Sequence, residues 1–305
     1  MRTVILFPNK DTYAFKYIES SKCEIFNVYK KPIPNIFVKL LRKFIYFLEL
    51  GKCNVFYSDW TKLLKEDVQF IVFDSCKPYH RLQKKLKQAK IRPIIYFWNP
   101  IKSESDIRRL KKLKKYFKIY SYSIQDAQKY DLEYNPQFFV DIPITRSGLN
   151  EYDGIFIGKN KSRLKNLERI YSLFEKPFFY VVKDGEEISE ILELQDKQMP
   201  YEEYLKFLDK SSSIAEILYT ENADYSLRTT EALFYQKKLI TNNKLIEQAP
   251  FYNAQNIYIL NECTTKEDIS EFLRIPFVPY SDEQIDYYKF DYWIERFKNE
   301  SRNGE

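Results

Sequence analysis

Histidine is almost missing from this sequence: His80 is the only one among 305 residues, beside 2 methionines, 4 cysteines and 6 glycines. Each scarcity excludes something. Cys23, Cys53, Cys76 and Cys263 lie far apart with no CxxC pair, so neither a zinc site nor a disulfide scaffold is expected. They read as reduced thiols of a cytoplasmic protein. With so few glycines there is no GxGxxG and no Walker A sequence, which disfavours a dinucleotide oxidoreductase or a P-loop NTPase. No apolar run approaches the ~20 residues that a membrane-spanning helix needs. The opening MRTVILFPNKD has an apolar stretch too short for a signal-peptide core. Heptads and longer internal repeats are absent too.

What remains is a chain rich in aromatics. Hydrophobic residues make up 44%, and 26 Tyr and 24 Phe raise the aromatic share to 17%, enough to fill a core. The net charge of +6 conceals a division. Residues 1–150 hold 29 basic and 14 acidic side chains, and residues 151–305 hold 20 and 29. A reversal of sign between halves points to two units with different partners.

Short apolar runs alternate with amphipathic ones. Strands are expected at Thr3–Phe7, Glu24–Val28, Asn54–Tyr57, Gln69–Phe73, Pro93–Phe97 and Tyr116–Ser121. QFIVF and PIIYF are continuous and branched or aromatic, as in strands buried on both faces of a parallel sheet. Helical runs lie between them at Asn35–Leu50, Tyr79–Ala89 and Ser103–Lys115. VDIPITRSG, at 140–148, interrupts the pattern, which restarts with strands at Tyr152–Ile157, Phe178–Val182, Ser213–Tyr219 and Lys238–Thr241. Its helices are expected at Lys161–Phe174, Tyr201–Asp209 and Leu227–Tyr235, with an amphipathic helical stretch at Ser281–Asn299. Such βα alternation argues for α/β domains with parallel sheets. The expected division is an N-terminal domain over 1–142, a linker over 143–150, a second domain over 151–280, and a C-terminal helix and tail over 281–305.

Two segments could carry chemistry. In Ile155–Arg163 (IFIGKNKSR) a strand ends at Gly158, a basic turn follows and a helix begins. Ligands of open α/β sheets bind at the carboxyl ends of strands, where a helix start presents free N–H groups to an anion. Gly158 permits close approach, and Lys159, Lys161 and Arg163 would neutralise a diphosphate; an ordinary solvated turn reads the same way. In LRTTEALFY, Arg228 and Glu231 are three apart on one helix face. An arginine there suits phosphate, and a carboxylate suits a pair of sugar hydroxyls; an internal ion pair is the alternative.

The order of these motifs resembles that of GT-B glycosyltransferases, in particular bacterial enzymes of lipopolysaccharide-core, O-antigen and capsule gene clusters. The resemblance is carried by YFWNP at 96–100 with Tyr120–Phe139, by YDGIFIGKNKSRL at 152–164, and by Ser213–Asn243 with its core LRTTEALFYQKKLITNN. It implies two Rossmann-like domains facing each other across a cleft, with the C-terminal helix crossing back to the N-terminal domain. It also implies transfer of a sugar from a nucleotide-sugar to a growing surface glycan, on a free or lipid-linked acceptor. Gly158, Lys159, Lys161 and Arg163 would approach the donor diphosphate, Arg228 and Thr229 would sit beside it, and Glu231 would bind donor hydroxyls. The segment before Leu227, glycine-containing in relatives, here reads ENADYS and brings Asp224 near that pocket.

No Asp-x-Asp pair occurs in the chain. Cofactors and metal are therefore not expected, and cations and helix ends would stabilise the leaving group. The N-terminal domain must supply acceptor chemistry. Asp74 closes the QFIVF strand and is the first candidate for a general base, with His80 and Asn99 next and Asp59 weaker. Residues 77–118 hold 15 basic and 2 acidic side chains, and residues 36–50 mix apolar with basic ones in helical register. Both suit an anionic membrane surface as well as an ordinary solvated or packed helix. Nucleic acid is not expected, since no binding motif accompanies the charge. The expected location is the cytoplasm, peripherally on the inner face of the plasma membrane. A noncatalytic α/β binding protein, a degenerate transferase domain within a polysaccharide-assembly complex, is the competing function.

Overall fold

A computed structural model describes residues 2–9, 17–18, 22–30, 40, 44, 56–76, 79–101, 104–140, 142, 144, 147–218 and 225–299. The chain forms two units: Met1–Pro136 with Trp293–Glu305, and Gln137–Tyr292.

Unit 1 holds strands β1 (Arg2–Phe7), β2 (Cys23–Asn27), β3 (Val68–Phe73), β4 (Ile94–Phe97), β5 (Lys118–Ser121) and β6 (Glu133–Tyr134), all paired in parallel in the order β2-β1-β3-β4-β5-β6. Helices α1 (Tyr79–Leu86), α2 (Glu104–Leu113) and α3 (Ile124–Tyr130) connect the later strands. Every residue of β3 and β4 is buried, which is why their sequences run apolar without alternating. Aromatic rings fill much of this core. Trp60 is fully buried, its Nε1–H donates to Val28 O (2.9 Å), and its ring lies 5.9 Å from Phe70. Trp293, also fully buried, meets Tyr96 edge-on at 4.9 Å and Phe297 at 4.7 Å, and Phe297 meets Tyr120 at 4.7 Å. Burial pushes the Tyr96 phenol well above its ordinary range, and its O–H donates to Pro136 O (3.1 Å).

Unit 2 holds β7 (Gly154–Lys159), β8 (Pro177–Val182), β9 (Leu194–Gln195), β10 (Ser213–Glu216), β11 (Lys238–Thr241) and β12 (Ile257–Ile259), all parallel, in the order β12-β11-β10-β7-β8-β9. Its helices are α4 (Leu164–Tyr171), α5 (Tyr201–Asp209), α6 (Leu227–Tyr235), α7 (Lys266–Arg274), α8 (Asp282–Asp286) and the start of α9 (Phe290–Asn299). Phe156, Leu167, Ile170, Phe174, Phe179, Val181 and Ala215 belong to its core.

The α/β class with two Rossmann-like sheets is as expected, and from Trp293 onward α9 belongs to unit 1. The division falls after Pro136 rather than at the expected linker. Phe139, Ile142 and Ser147 are tied into unit 2: Phe139 bridges Lys289 and stacks on Phe234 at 4.1 Å, Tyr235 O–H donates to Ile142 O (3.0 Å), and Ser147 N–H donates to Asp209 Oδ2 (2.8 Å). The strand expected at Asn54–Tyr57 joins no sheet where it is described: Tyr57 makes one antiparallel bridge to Tyr29, and a 3-10 turn at Asp59–Lys65 follows. The helix expected from Lys161 starts at Leu164, because Lys161 and Ser162 adopt left-handed φ values of 50° and 59°. The strand expected to reach Tyr219 ends at Glu216. The C-terminal helical stretch is two helices, interrupted where Lys289 bridges Phe139. Of the helix expected over 35–50, only Leu40 and Phe44 are described; both are helical and exposed.

Trp293 fills the contact between α9 and the unit 1 sheet. Trp293→Ala is expected to cost unit 1 about 3–5 kcal/mol, read by urea denaturation. Ile188→Ala, on a fully solvated side chain, is the control with no loss. A Trp293→Ala variant as stable as the control contradicts this account of the core.

Candidate functional site

A doubly wound sheet opens at one place. The chain leaves β7 toward β8 and β9 on one side, then returns to place β10 and β11 on the other. The crevice at such a reversal lies outside the carboxyl ends of the two diverging strands. In unit 2 those ends are Gly158–Lys159 of β7 and Glu216 of β10. In unit 1 the reversal lies between β1 and β3.

The unit 2 crevice is built around Arg228, in the first turn of α6. Its guanidinium lies over the Phe156 ring at 4.7 Å, and Nη2 donates to Ile157 O (2.5 Å). Gly158 makes this possible: a Cβ there would collide with Arg228 Nη2. Two residues that the sequence offered separately are therefore in contact, with the cation held at the carboxyl end of β7. Lys159 is exposed beside them, and among the described residues its ammonium group pairs with no carboxylate.

The rest of the basic turn is committed elsewhere. Arg163 is buried. Its Nε donates to Asn160 O (3.0 Å), its Nη2 to Lys159 O (3.0 Å), and its guanidinium also lies over the Phe156 ring, at 5.0 Å. It braces the turn rather than presenting a free cation. Lys161 donates its backbone N–H to Asp184, and Asn160 Nδ2 donates to Glu187 Oε1 (3.2 Å). An acidic loop thus shares this turn, and the cationic character read from the sequence is partly answered within the fold. Two successive non-glycine residues in the left-handed region cost about 1–3 kcal/mol each; Asp184 and Glu187 are the groups that hold the turn in that shape.

Glu231 is buried too, and both of its oxygens are taken. Tyr201 O–H donates to Oε1 (2.9 Å) and Tyr204 O–H to Oε2 (2.5 Å), both from α5. Desolvation raises its carboxyl above the ordinary value, against the Tyr204 hydrogen bond, the Arg228 charge and the Tyr201 hydrogen bond, which lower it. The hydroxyls on this carboxylate are those of Tyr201 and Tyr204. Thr229 likewise faces inward, with Oγ1 donating to Glu216 Oε1 (2.7 Å).

Glu216 was not singled out by the sequence. It is fully buried, and its carboxylate accepts from Ser226 Oγ, Thr229 Oγ1 and Thr241 Oγ1 (2.7 Å). Ser226 is the N-cap of α6 and accepts from Arg228 N–H (3.1 Å). One carboxylate therefore ties the start of α6 to β10 and β11 and aims the turn that carries Arg228. The available signal was an acid closing the short apolar run SIAE. Residues 219–224, including Asp224, lie outside the described residues.

In unit 1 the structure brings Asp74 and Asn99 together: Asn99 Nδ2 donates to the buried Asp74 Oδ2 (2.9 Å). Cys76 lies next to them, with Sγ donating to Leu6 O (3.1 Å); burial and then the Asp74 charge push its thiol well up. Asp59 is on the surface, paired with Lys62 at 3.1 Å. His80 starts α1, and its side chain lies outside what is described. A cavity of about 200 Å³ lined by Asp153, Leu173 and Ile269 opens near the other, amino-terminal end of β7.

No family model matches the sequence, and no curated protein is similar to it. Among solved structures the chain is similar to one described as giving insight into enzymatic glycosyltransfer with retention, through bisubstrate glycomimetics of trehalose-6-phosphate synthase. The TM-score is 0.48 and the identity 10%, over 99% of each chain.

Because its folded value is raised, Glu231 contributes most to stability while protonated, below its ordinary value of 4.5. That contribution is lost as the pH climbs through the raised value. Glu231→Gln removes this titration, so its stability relative to the parent is expected to rise between pH 4.5 and neutrality. Urea midpoints that keep a constant difference over that range would contradict the buried-carboxylate assignment.

Proposed function

We propose that the chain is a glycosyltransferase that moves a sugar from a nucleotide-sugar to a growing bacterial surface glycan: lipopolysaccharide, O-antigen or capsule. Unit 2 holds the donor and unit 1 the acceptor. The observation that carries this reading is the Arg228 guanidinium seated on Gly158 at the strand reversal of unit 2. A guanidinium held there, in no ion pair with a described carboxylate although its charge reaches Glu231, suits the diphosphate of a nucleotide, and bidentate hydrogen bonding is what it adds over an ammonium. Lys159 supplies a second, mobile charge. Charge developing on the leaving group is then met by these side chains rather than by a metal ion. Arg163, Thr229 and Glu231 shape the site and do not touch the ligand. In unit 1, Asp74 is the candidate base, oriented by Asn99.

Contact with a lipid-linked acceptor on the inner face of the plasma membrane is supported by exposed groups of unit 1. Leu40 and Phe44 are both helical and exposed, and α2 exposes Arg108, Arg109, Lys111 and Lys112. Each basic group close to an anionic surface contributes about 1 kcal/mol. No helix among the described residues is long and apolar enough to cross a membrane. Flotation with anionic but not with neutral liposomes is expected, and equal recovery with both rejects the membrane part of the reading.

The competing reading, a noncatalytic binding protein in a polysaccharide-assembly complex, is favoured by the closed state of Glu231, whose oxygens are both used internally. Thermal melting with UDP, GDP, TDP and CMP decides between them. A nucleotide that binds at a hundred times its Kd stabilises the fold by about 2.7 kcal/mol. One nucleotide is expected to raise the melting temperature. Arg228→Ala is expected to abolish that rise, and so is Gly158→Ala, whose added methyl displaces the guanidinium while leaving the fold intact. No rise with any nucleotide at millimolar concentration supports the competing reading.

A further inference from the structure

The unit 1 crevice carries an arrangement that the donor site does not use. Its carboxyl edge collects Phe7 from β1, Asp74 from the end of β3, and Trp98 and Asn99 from the end of β4. Asp74 is fixed by its own backbone, whose N–H donates to Tyr96 O (2.9 Å), and by the Asn99 amide. Trp98 is partly exposed, and its ring is braced from behind by Phe73 at 5.2 Å and Phe7 at 6.3 Å. The other two tryptophans of the chain, Trp60 and Trp293, are wholly buried. The one indole that meets solvent therefore stands at the strand reversal, two residues beyond the wholly buried Tyr96 and next to a carboxylate–amide pair.

This combination selects a ligand by its chemistry. An indole face carries partial negative charge and suits the weakly positive C–H groups on one side of a pyranose. Around its rim the same ring presents hydroxyls that both donate and accept. Asp74 is buried and accepts from Asn99 Nδ2, which leaves the exposed Asn99 amide, able both to donate and to accept, to meet the hydroxyls. The negative charge of Asp74 opposes a phosphate at this position, which separates the site from the cationic one in unit 2. A backed, rigid indole also loses little freedom on binding.

We infer that Trp98 and Asn99 form a binding site for an uncharged pyranose ring, its C–H face on Trp98 and its hydroxyls on the exposed Asn99 amide, which the buried Asp74 holds in place. That the sugar is the terminal residue of the acceptor rests on the transferase reading above; the binding itself does not.

The intrinsic fluorescence of the full chain tests it. Trp60 and Trp293 emit from the interior, so the solvent-exposed component belongs to Trp98. Titration with methyl pyranosides of the gluco, galacto and manno series is expected to give a saturable change with at least one of them and none with glycerol. Trp98→Phe is expected to remove the signal. Asn99→Ala, on an exposed side chain, is expected to raise the half-saturating concentration about tenfold, the loss of one hydrogen-bonding partner. The inference is overturned if no pyranoside gives a saturable change, if Trp98→Phe responds like the parent, or if a nucleotide alone produces the change. Because the melting response to nucleotides depends on Arg228 and this signal on Trp98, the absence of one with the other intact shows which reading has failed.

Discussion

Parallel pairing is the constraint from which the rest of this molecule follows. Every ladder in both sheets is parallel, so each strand must be followed by a crossover that returns the chain to the same starting edge. The segments that leave the strands all collect at the opposite edge. Only where successive crossovers run in opposite directions does that edge open. This geometry, more than any local motif, brings Gly158, Glu216 and Arg228 together across seventy residues of sequence in one unit. It also brings Phe7, Asp74 and Trp98 together in the other.

The strands buried on both faces were the most legible elements, because continuous branched and aromatic runs such as QFIVF and PIIYF have few other uses. Helices with a clear start were equally plain. Tyr201–Asp209 follows Pro200, and Leu227–Tyr235 follows the cap residue Ser226, and both have the expected bounds. What the sequence concealed was governed by long-range contact. Two left-handed residues delay α4, and they are held by an acidic loop more than twenty residues away. The division between the units depends on what Phe139 and Trp293 touch, and composition does not report that. Within the candidate site, a glycine after a strand and an arginine at a helix start were visible as types. Their contact was not visible, nor was the buried acid beneath it.

The treatment of buried acids is consistent through unit 2. Glu216 and Glu231 are both taken from water, and each is hydrogen-bonded by hydroxyls: serine and threonine for the first, tyrosines for the second. A buried carboxylate left without donors would be costly, and several neutral donors offset that cost without cancelling the charge. The abundance of tyrosine in the composition thus has a second use beside filling cores, since a phenol serves an acid from within an apolar layer.

The first unit takes its strands from before the second unit and a helix from after it. Asn135 Nδ2 donates to Trp293 O (3.3 Å) and accepts at Oδ1 from Arg296 Nε (2.6 Å), while Tyr96 and Tyr120 wait for the rings of Trp293 and Phe297. A ribosome delivers those partners after every strand of both units. Chains fold by domains as they emerge, so the second unit has all its strands in hand while the first still lacks the helix that seals one face of its sheet. The order of synthesis and the order of completion are therefore reversed. An interrupted chain leaves behind a finished second unit joined to a first unit with its aromatic face open.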